Sequence, residues 1–188
     1  MSLKIISCWE FSCFLLVALF AVIVLTCCDK ITMDRLLGIK FSDDGKGKKL
    51  VSFHNAFGYI YATKYTIPDG VEIIGKHAFM GNRTLKQVIF SSSVTTIEEC
   101  AFSCCKRLRS MELTPGVTSI GDQAFADCLS LKSVKIPDGV RHIGKETFAG
   151  CVELERVSIP PSVISIGTGA FKNCPCEAAV KQQFPDYQ

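Results

Sequence analysis

The 188-residue sequence is poor in the groups that most often carry catalysis: it has three histidines, one tryptophan and little net charge. His54, His77 and His142 are scattered, and no hydroxyl, thiol or carboxylate stands in an elbow or triad motif around them. No catalytic residue is therefore expected, and no cofactor, metal or small-molecule substrate. With 21 Lys and Arg against 18 Asp and Glu, the formal charge of +3 gives no compositional case for nucleic acid or an anionic membrane surface as partner. Fourteen glycines and seven prolines are ordinary globular usage, which excludes collagen-like and low-complexity chains. Eleven cysteines fall below the roughly 8–10% of residues that marks a small disulfide scaffold.

What is present begins with an apolar run, Phe11 to Thr26, without a single charge. As a helix it would span roughly 24 Å, short of the ~30 Å hydrocarbon core and longer than most signal-peptide cores. It ends at Cys27 and Cys28, much as a bacterial lipoprotein signal ends at the cysteine that receives lipid. The residue ahead of that cysteine is usually small, and here it would be Thr26 or Cys27. Residues 1–28 are read as a signal peptide, a lipoprotein signal lipidated at Cys28 or Cys27, or an uncleaved membrane anchor. In each case the rest of the chain faces outward, at the cell surface or secreted, with membrane contact through the segment or its lipid.

The rest is a repeat. Ile67, Phe90, Leu113, Ile136 and Ile159 stand at equal steps of 23 residues. Valine recurs in the same register from Val71 to Val163, isoleucine from Ile74 to Ile166 and leucine from Leu85 to Leu154. Phe79, Phe102, Phe125, Phe148 and Phe171 form an unbroken column, and Asn82, Cys105, Cys128, Cys151 and Cys174 another. Within a unit, Leu131, Val134 and Ile136 alternate with polar residues as a short strand does. Pro68, Pro137 and Pro160 stop it, and glycines supply a turn. A return segment and one compact helical or 3₁₀ turn carrying the alanine and phenylalanine complete the unit. One such unit cannot cover its own apolar face, whereas stacked units bury a shared core, so the columns are expected to run as ladders along a solenoid axis. The cysteine column reads as inert buried thiols.

The pattern in IPDGVRHIGKETFAGCVELERV closely resembles the BspA-type leucine-rich repeat of surface proteins from host-associated bacteria and some protists. Phe90-Ser91 and Leu113-Thr114 replace Ile-Pro, and Glu98 stands in the glycine column. The resemblance implies an α/β repeat solenoid, a curved leucine-rich-repeat stack with one short parallel strand per 23-residue rung. It also implies export and a role in binding other proteins, often in attachment to host surfaces. Five repeats are assigned to residues 67–176. Residues 29–66 are read as an N-terminal cap with a β-hairpin around the Asp-Asp-Gly-Lys-Gly turn, and residues 177–188 as a C-terminal cap with a short helix.

Strand alternation places Gln87, Ile89, Ser110, Glu112, Ser133, Lys135, Arg156 and Ser158 outward on the concave strand face, the candidate protein-binding surface. Glu112, Lys135 and Arg156 are expected to line up on three successive rungs. The partner is expected to be a protein rather than nucleic acid. The alternative is a structural envelope protein that self-associates through its solenoid, which an uncapped end at Cys174 would favour.

Overall fold

The computed structural model describes residues 39–43, 48–53 and 63–187. Its first elements are β1 (Ile39–Asp43) and β2 (Lys48–Phe53), paired antiparallel with a one-residue irregularity at Lys40/Phe41. Each later rung then contributes two short strands. The first series is β3 (Lys64–Thr66), β5 (Gln87–Ile89), β7 (Ser110–Glu112), β9 (Ser133–Lys135) and β11 (Arg156–Ser158). The second is β4 (Val71–Ile74), β6 (Thr96–Ile97), β8 (Ser119–Ile120), β10 (His142–Ile143) and β12 (Ser165–Ile166). The chain closes with helix α1 (Glu177–Gln183).

The second series joins β1 and β2 in one seven-stranded sheet in the order β1-β2-β4-β6-β8-β10-β12, parallel from β2 onward. The first series forms two shorter parallel sheets, β3-β5-β7 and β9-β11. Partners such as Val88 and Met111, or Ile97 and Ile120, are 23 residues apart, so the sequence step is the solenoid's register. This is the expected parallel solenoid, with one addition: the return segment also pairs, as strands of two to four residues.

Between the two ladders runs a third wall, which is not the helical or 3₁₀ turn expected from sequence. In the first rung Ala78, Met80 and Asn82 donate backwards to Gly75, His77 and Phe79. His77, Phe79 and Gly81 instead donate forward to Glu99, Ala101 and Ser103 of the next rung. Half the amides thus close turns and half join rungs. Two residues per rung are left-handed: His77, Cys100, Gln123 and Glu146 in one column, and Cys104, Asp127 and Asn173 in the other. A positive φ cannot propagate a right-handed helix, which is why the wall consists of linked turns.

The phenylalanines stack down the core with ring centroids 4.6–5.4 Å apart and planes within 14° of parallel. Both ends of the stack are closed by tyrosine. Tyr65 tilts against Phe79 at 5.7 Å, and Tyr187 meets Phe171 edge-on at 6.1 Å while its hydroxyl accepts the Phe171 N–H at 2.7 Å. Val180 of α1 is buried in the same core, so the Cys174 end is covered.

The rungs that lack Ile-Pro make the same turn as those that have it. Val94 and Val117 donate to Ser91 and Thr114 as Val71 and Val140 donate to Pro68 and Pro137. Buried Ser91 donates to Asp69 Oδ1 at 2.9 Å, and Thr114 Oγ1 donates to the Ser91 carbonyl at 3.2 Å. A hydroxyl bonded across rungs here replaces the ring's restriction of φ. Glu98, in the glycine column, turns its carboxylate back over the preceding rung. It accepts the Lys76 N–H at 2.8 Å and a hydrogen bond from Lys49 Nζ at 2.7 Å, joining the hairpin to the second rung.

Candidate functional site

Ser110, Glu112, Ser133, Lys135, Arg156 and Ser158 are exposed and Gln87 and Ile89 half-buried, with Val88, Met111 and Val134 buried between them. Alternation therefore sorts these strands as expected. Val157 is only half-buried, because β11 is the last strand of its ladder. The expected line of Glu112, Lys135 and Arg156 does not form. Arg156 stands opposite Ser133, and Ser158 opposite Lys135. The 23-residue step carries Lys135 to Ser158, so the face has two parallel columns. One runs Lys64, Gln87, Ser110 and the other Thr66, Ile89, Glu112, with Ser133–Arg156 and Lys135–Ser158 continuing them on β9 and β11. Among the described residues neither Glu112, Lys135 nor Arg156 forms an ion pair.

The cysteine column is a set of thiols with identical partners. Cys105, Cys128, Cys151 and Cys174 each donate Sγ–H to the carbonyl of Phe79, Phe102, Phe125 or Phe148 in the preceding rung, at 3.0–3.3 Å. All are free thiols. Asn82 heads the column, and its Oδ1 accepts the N–H groups of Thr84 and Leu85.

Burial pushes the Cys105 thiol from 9.0 up to about 12 and raises Cys128 well above its ordinary value. A thiol that stays protonated only when folded favours the folded state below its unfolded pKa, and that contribution is lost as pH rises towards the folded one. The melting temperature should therefore fall between pH 9 and about 12, and fall less in Cys105→Ala. Cysteine alkylation followed by peptide mapping at neutral pH should label half-exposed Cys104 well before Cys105, Cys128 or Cys151. Equal labelling would show that the column is open to solvent.

His77, Glu99 and Cys100 bring ligand atoms within 4.8 Å of one another, a cluster the linear sequence conceals. Each carboxylate and thiol there already has a neighbour. Glu99 pairs with Lys76 at 2.8 Å, and Cys100 Sγ donates to Gln123 Oε1 at 3.3 Å. Burial and the Glu99 charge also hold the Cys100 thiol above its ordinary value, opposing the thiolate that a metal needs. The cluster is a piece of the polar ladder along the left-handed column, continued by Gln123 Nε2 donating to Glu146 at 2.6 Å. Cys27, Cys28 and the apolar run of residues 11–26 lie outside the described residues. Among the described ones, no helix is long and apolar enough to cross a membrane.

Stacked 23-residue rungs, parallel ladders and a core of repeated Leu, Ile, Val and Phe define a leucine-rich-repeat solenoid. The BspA type leucine rich repeat region matches residues 53–177 in six copies, and the chain belongs to this family. The match thus begins upstream of the five repeats counted from residue 67, where Ala56-Phe57 precedes Ala78-Phe79 by 22 residues rather than 23.

Among solved structures, the chain is similar to the Treponema pallidum leucine-rich repeat protein, at 30% identity and a TM-score of 0.65 over 73% of this chain and 64% of that one. A leucine-rich cell surface protein of Faecalibacterium prausnitzii matches at 34% identity and a TM-score of 0.67, over 73% of this chain and 36% of that one. A leucine-rich repeat protein of Bacteroides ovatus matches at 27% identity and a TM-score of 0.52, over 67% and 40%. The chain thus spans less than two thirds of the length of these relatives. No curated protein matches the sequence.

Proposed function

We propose that the protein is an exported module that binds other proteins at the cell surface, through the outward positions of β5, β7, β9 and β11. The observation that carries this reading is the face itself: two hydrogen-bonded ladders, β3-β5-β7 and β9-β11, that present Glu112, Lys135 and Arg156, without ion pairs among the described residues, beside serines and one half-buried isoleucine. A backbone fixed in strands spares the ordering cost that a flexible loop would bear on binding, and the mixed charge suits a protein surface. The resemblance to a leucine-rich cell surface protein supports export. Retention at the surface through the apolar segment, or through lipid on Cys28 or Cys27, belongs to the same reading, as does adhesion to host or neighbouring-cell proteins. Self-association through the end of the solenoid is disfavoured, since α1 and Tyr187 cover it.

The test combines location and binding. Mass spectrometry of the mature amino terminus and protease shaving of intact cells should find a processed or anchored chain facing outward; full-length soluble protein in the cytosol would refute export. The chain should bind within a panel of immobilised cell-surface and matrix proteins. Lys135→Glu with Arg156→Glu should leave the melt within about 0.5 kcal/mol, because both sites are exposed, yet weaken that binding. A partner bound equally by this variant would place the site elsewhere.

A further inference from the structure

The formal charge of +3 conceals a local separation of charge. In each rung the loop from the cysteine column to the following strand turns one leucine inward, and Leu85, Leu108 and Leu131 are fully buried. Its other side chains must point out. In the first three rungs these include Arg83, Lys86, Lys106, Arg107, Arg109 and Lys132, all exposed except half-buried Lys86. Neighbouring loops are tied by the backbone: Arg109 N–H donates to the Lys86 carbonyl at 2.8 Å, and Ser130 Oγ donates to the Lys106 carbonyl at 2.9 Å.

Lys86, Arg109 and Lys132 occupy one 23-residue column, with rungs about 4.8 Å apart. Arg83, Lys106 and Arg107 border an open basin with Gly81, Thr84 and Cys104. Among the described residues none of the six forms an ion pair. Asp127 also lies on this edge, with Cys104 Sγ pointing to it at 4.0 Å, and Glu155 N–H donates to the Lys132 carbonyl at 3.1 Å where the strip stops. The strip ends in the fourth rung, where Glu153 and Glu155 take the loop positions of Arg107 or Arg83's neighbour Thr84, and of Lys86, Arg109 and Lys132.

We infer that this edge binds a linear sulfated polysaccharide. Six unpaired cations on a rigid frame repel one another and are relieved by a polyanion laid along them. None of the large exposed hydrophobic residues, Val51, Met80, Val152 and Ile164, lies in these three loops, where Leu129 is half-buried. An acidic protein partner would need an apolar or aromatic anchor to seat on, whereas a sulfated glycan is held by charge and hydrogen bonding alone. Three of the six are arginines, whose planar forks match the paired oxygens of a sulfate. The edge lies beside the strand positions and not on them, so the inference stands apart from the proposed protein-binding face.

The full chain should be retained on immobilised heparin near 0.1 M salt and released by about 0.5 M, as screening predicts. Lys106→Glu, Arg107→Glu and Arg109→Glu together should lower affinity at least about tenfold with an unchanged melt, while Lys135→Glu with Arg156→Glu binds as before. Competition on the unaltered chain needs no variant: free heparin should displace it and desulfated heparin should not. No retention, equal retention of the triple variant, or displacement by polyglutamate or DNA as effective as by heparin would overturn the assignment. Loss of protein binding on the strand face alone leaves the heparin result standing, which separates the two readings.

Discussion

Truncating Phe125 to alanine is expected to lower unfolding stability by about 3–5 kcal/mol, read by chemical or thermal denaturation. The ring is fully buried, 5.2 Å from Phe102 on one side and 5.4 Å from Phe148 on the other, so a cavity would open between rungs with nothing free to fill it. Sequence alone suggests a smaller effect at Phe171, which has only one neighbouring rung. The structure removes that distinction, because Tyr187 covers the far face of Phe171 and accepts its N–H. Phe171→Ala should therefore cost about as much as Phe125→Ala, and Tyr187→Phe about 1 kcal/mol through the lost hydrogen bond. An unchanged melt for Phe125→Ala would defeat the stacked-core description altogether. A harmless Phe171→Ala would show instead that the last rung is already frayed.

That contrast shows where the sequence was legible. The inward columns could be read because each recurs four or five times at one spacing without insertion, and a shared core is the only physical demand that repeats in that way. Tyr65 and Tyr187 occur once each and outside the phenylalanine register, so no periodicity marks them as the ends of the stack. The second ladder was hidden because strands as short as His142–Ile143 and Ser165–Ile166 hold too few residues to display alternation. The left-handed columns were hidden for a different reason. His77, Cys100, Gln123 and Glu146 are not the glycines that usually announce a positive φ; the hydrogen bonds each makes between rungs hold it there.

On the strand face, parity gave the right side for every named residue but not the right neighbours, since Arg156 and Lys135 belong to different columns. The cationic edge escaped because a whole-chain charge averages the basic loops of three rungs against carboxylates placed elsewhere.

The glycine column sets the closest approach between rungs, and filling it is the second change expected to have a large effect. A β-carbon on Gly144 would lie 2.6 Å from Asp122 Oδ1, 2.8 Å from Asp122 N and 2.8 Å from the Gly121 carbonyl carbon. Backbone cannot yield there without lengthening the bonds that join the rungs, including Gly121 N–H to Ile97 and Gly167 N–H to Ile143, both 2.8 Å. The carboxylate cannot yield without giving up the Lys145 N–H it accepts at 2.7 Å. Gly144→Ala should therefore cost about 2–3 kcal/mol, at the upper end of overpacking effects, although it adds a single methyl and removes no contact. Gly70→Ala, whose β-carbon would meet nothing within 4 Å, bears only the conformational cost of its φ of +80° and should lose less. Because each rung touches only its neighbours, the damage should be local. Native-state hydrogen exchange of Gly144→Ala should show faster exchange for amides from residue 121 to the C-terminus, with Phe79 and Phe102 amides little changed. Uniform acceleration along the whole chain would mean that the rungs unfold as one cooperative block, and an unchanged melt would mean that the spacing between rungs has slack that the observed contacts do not show.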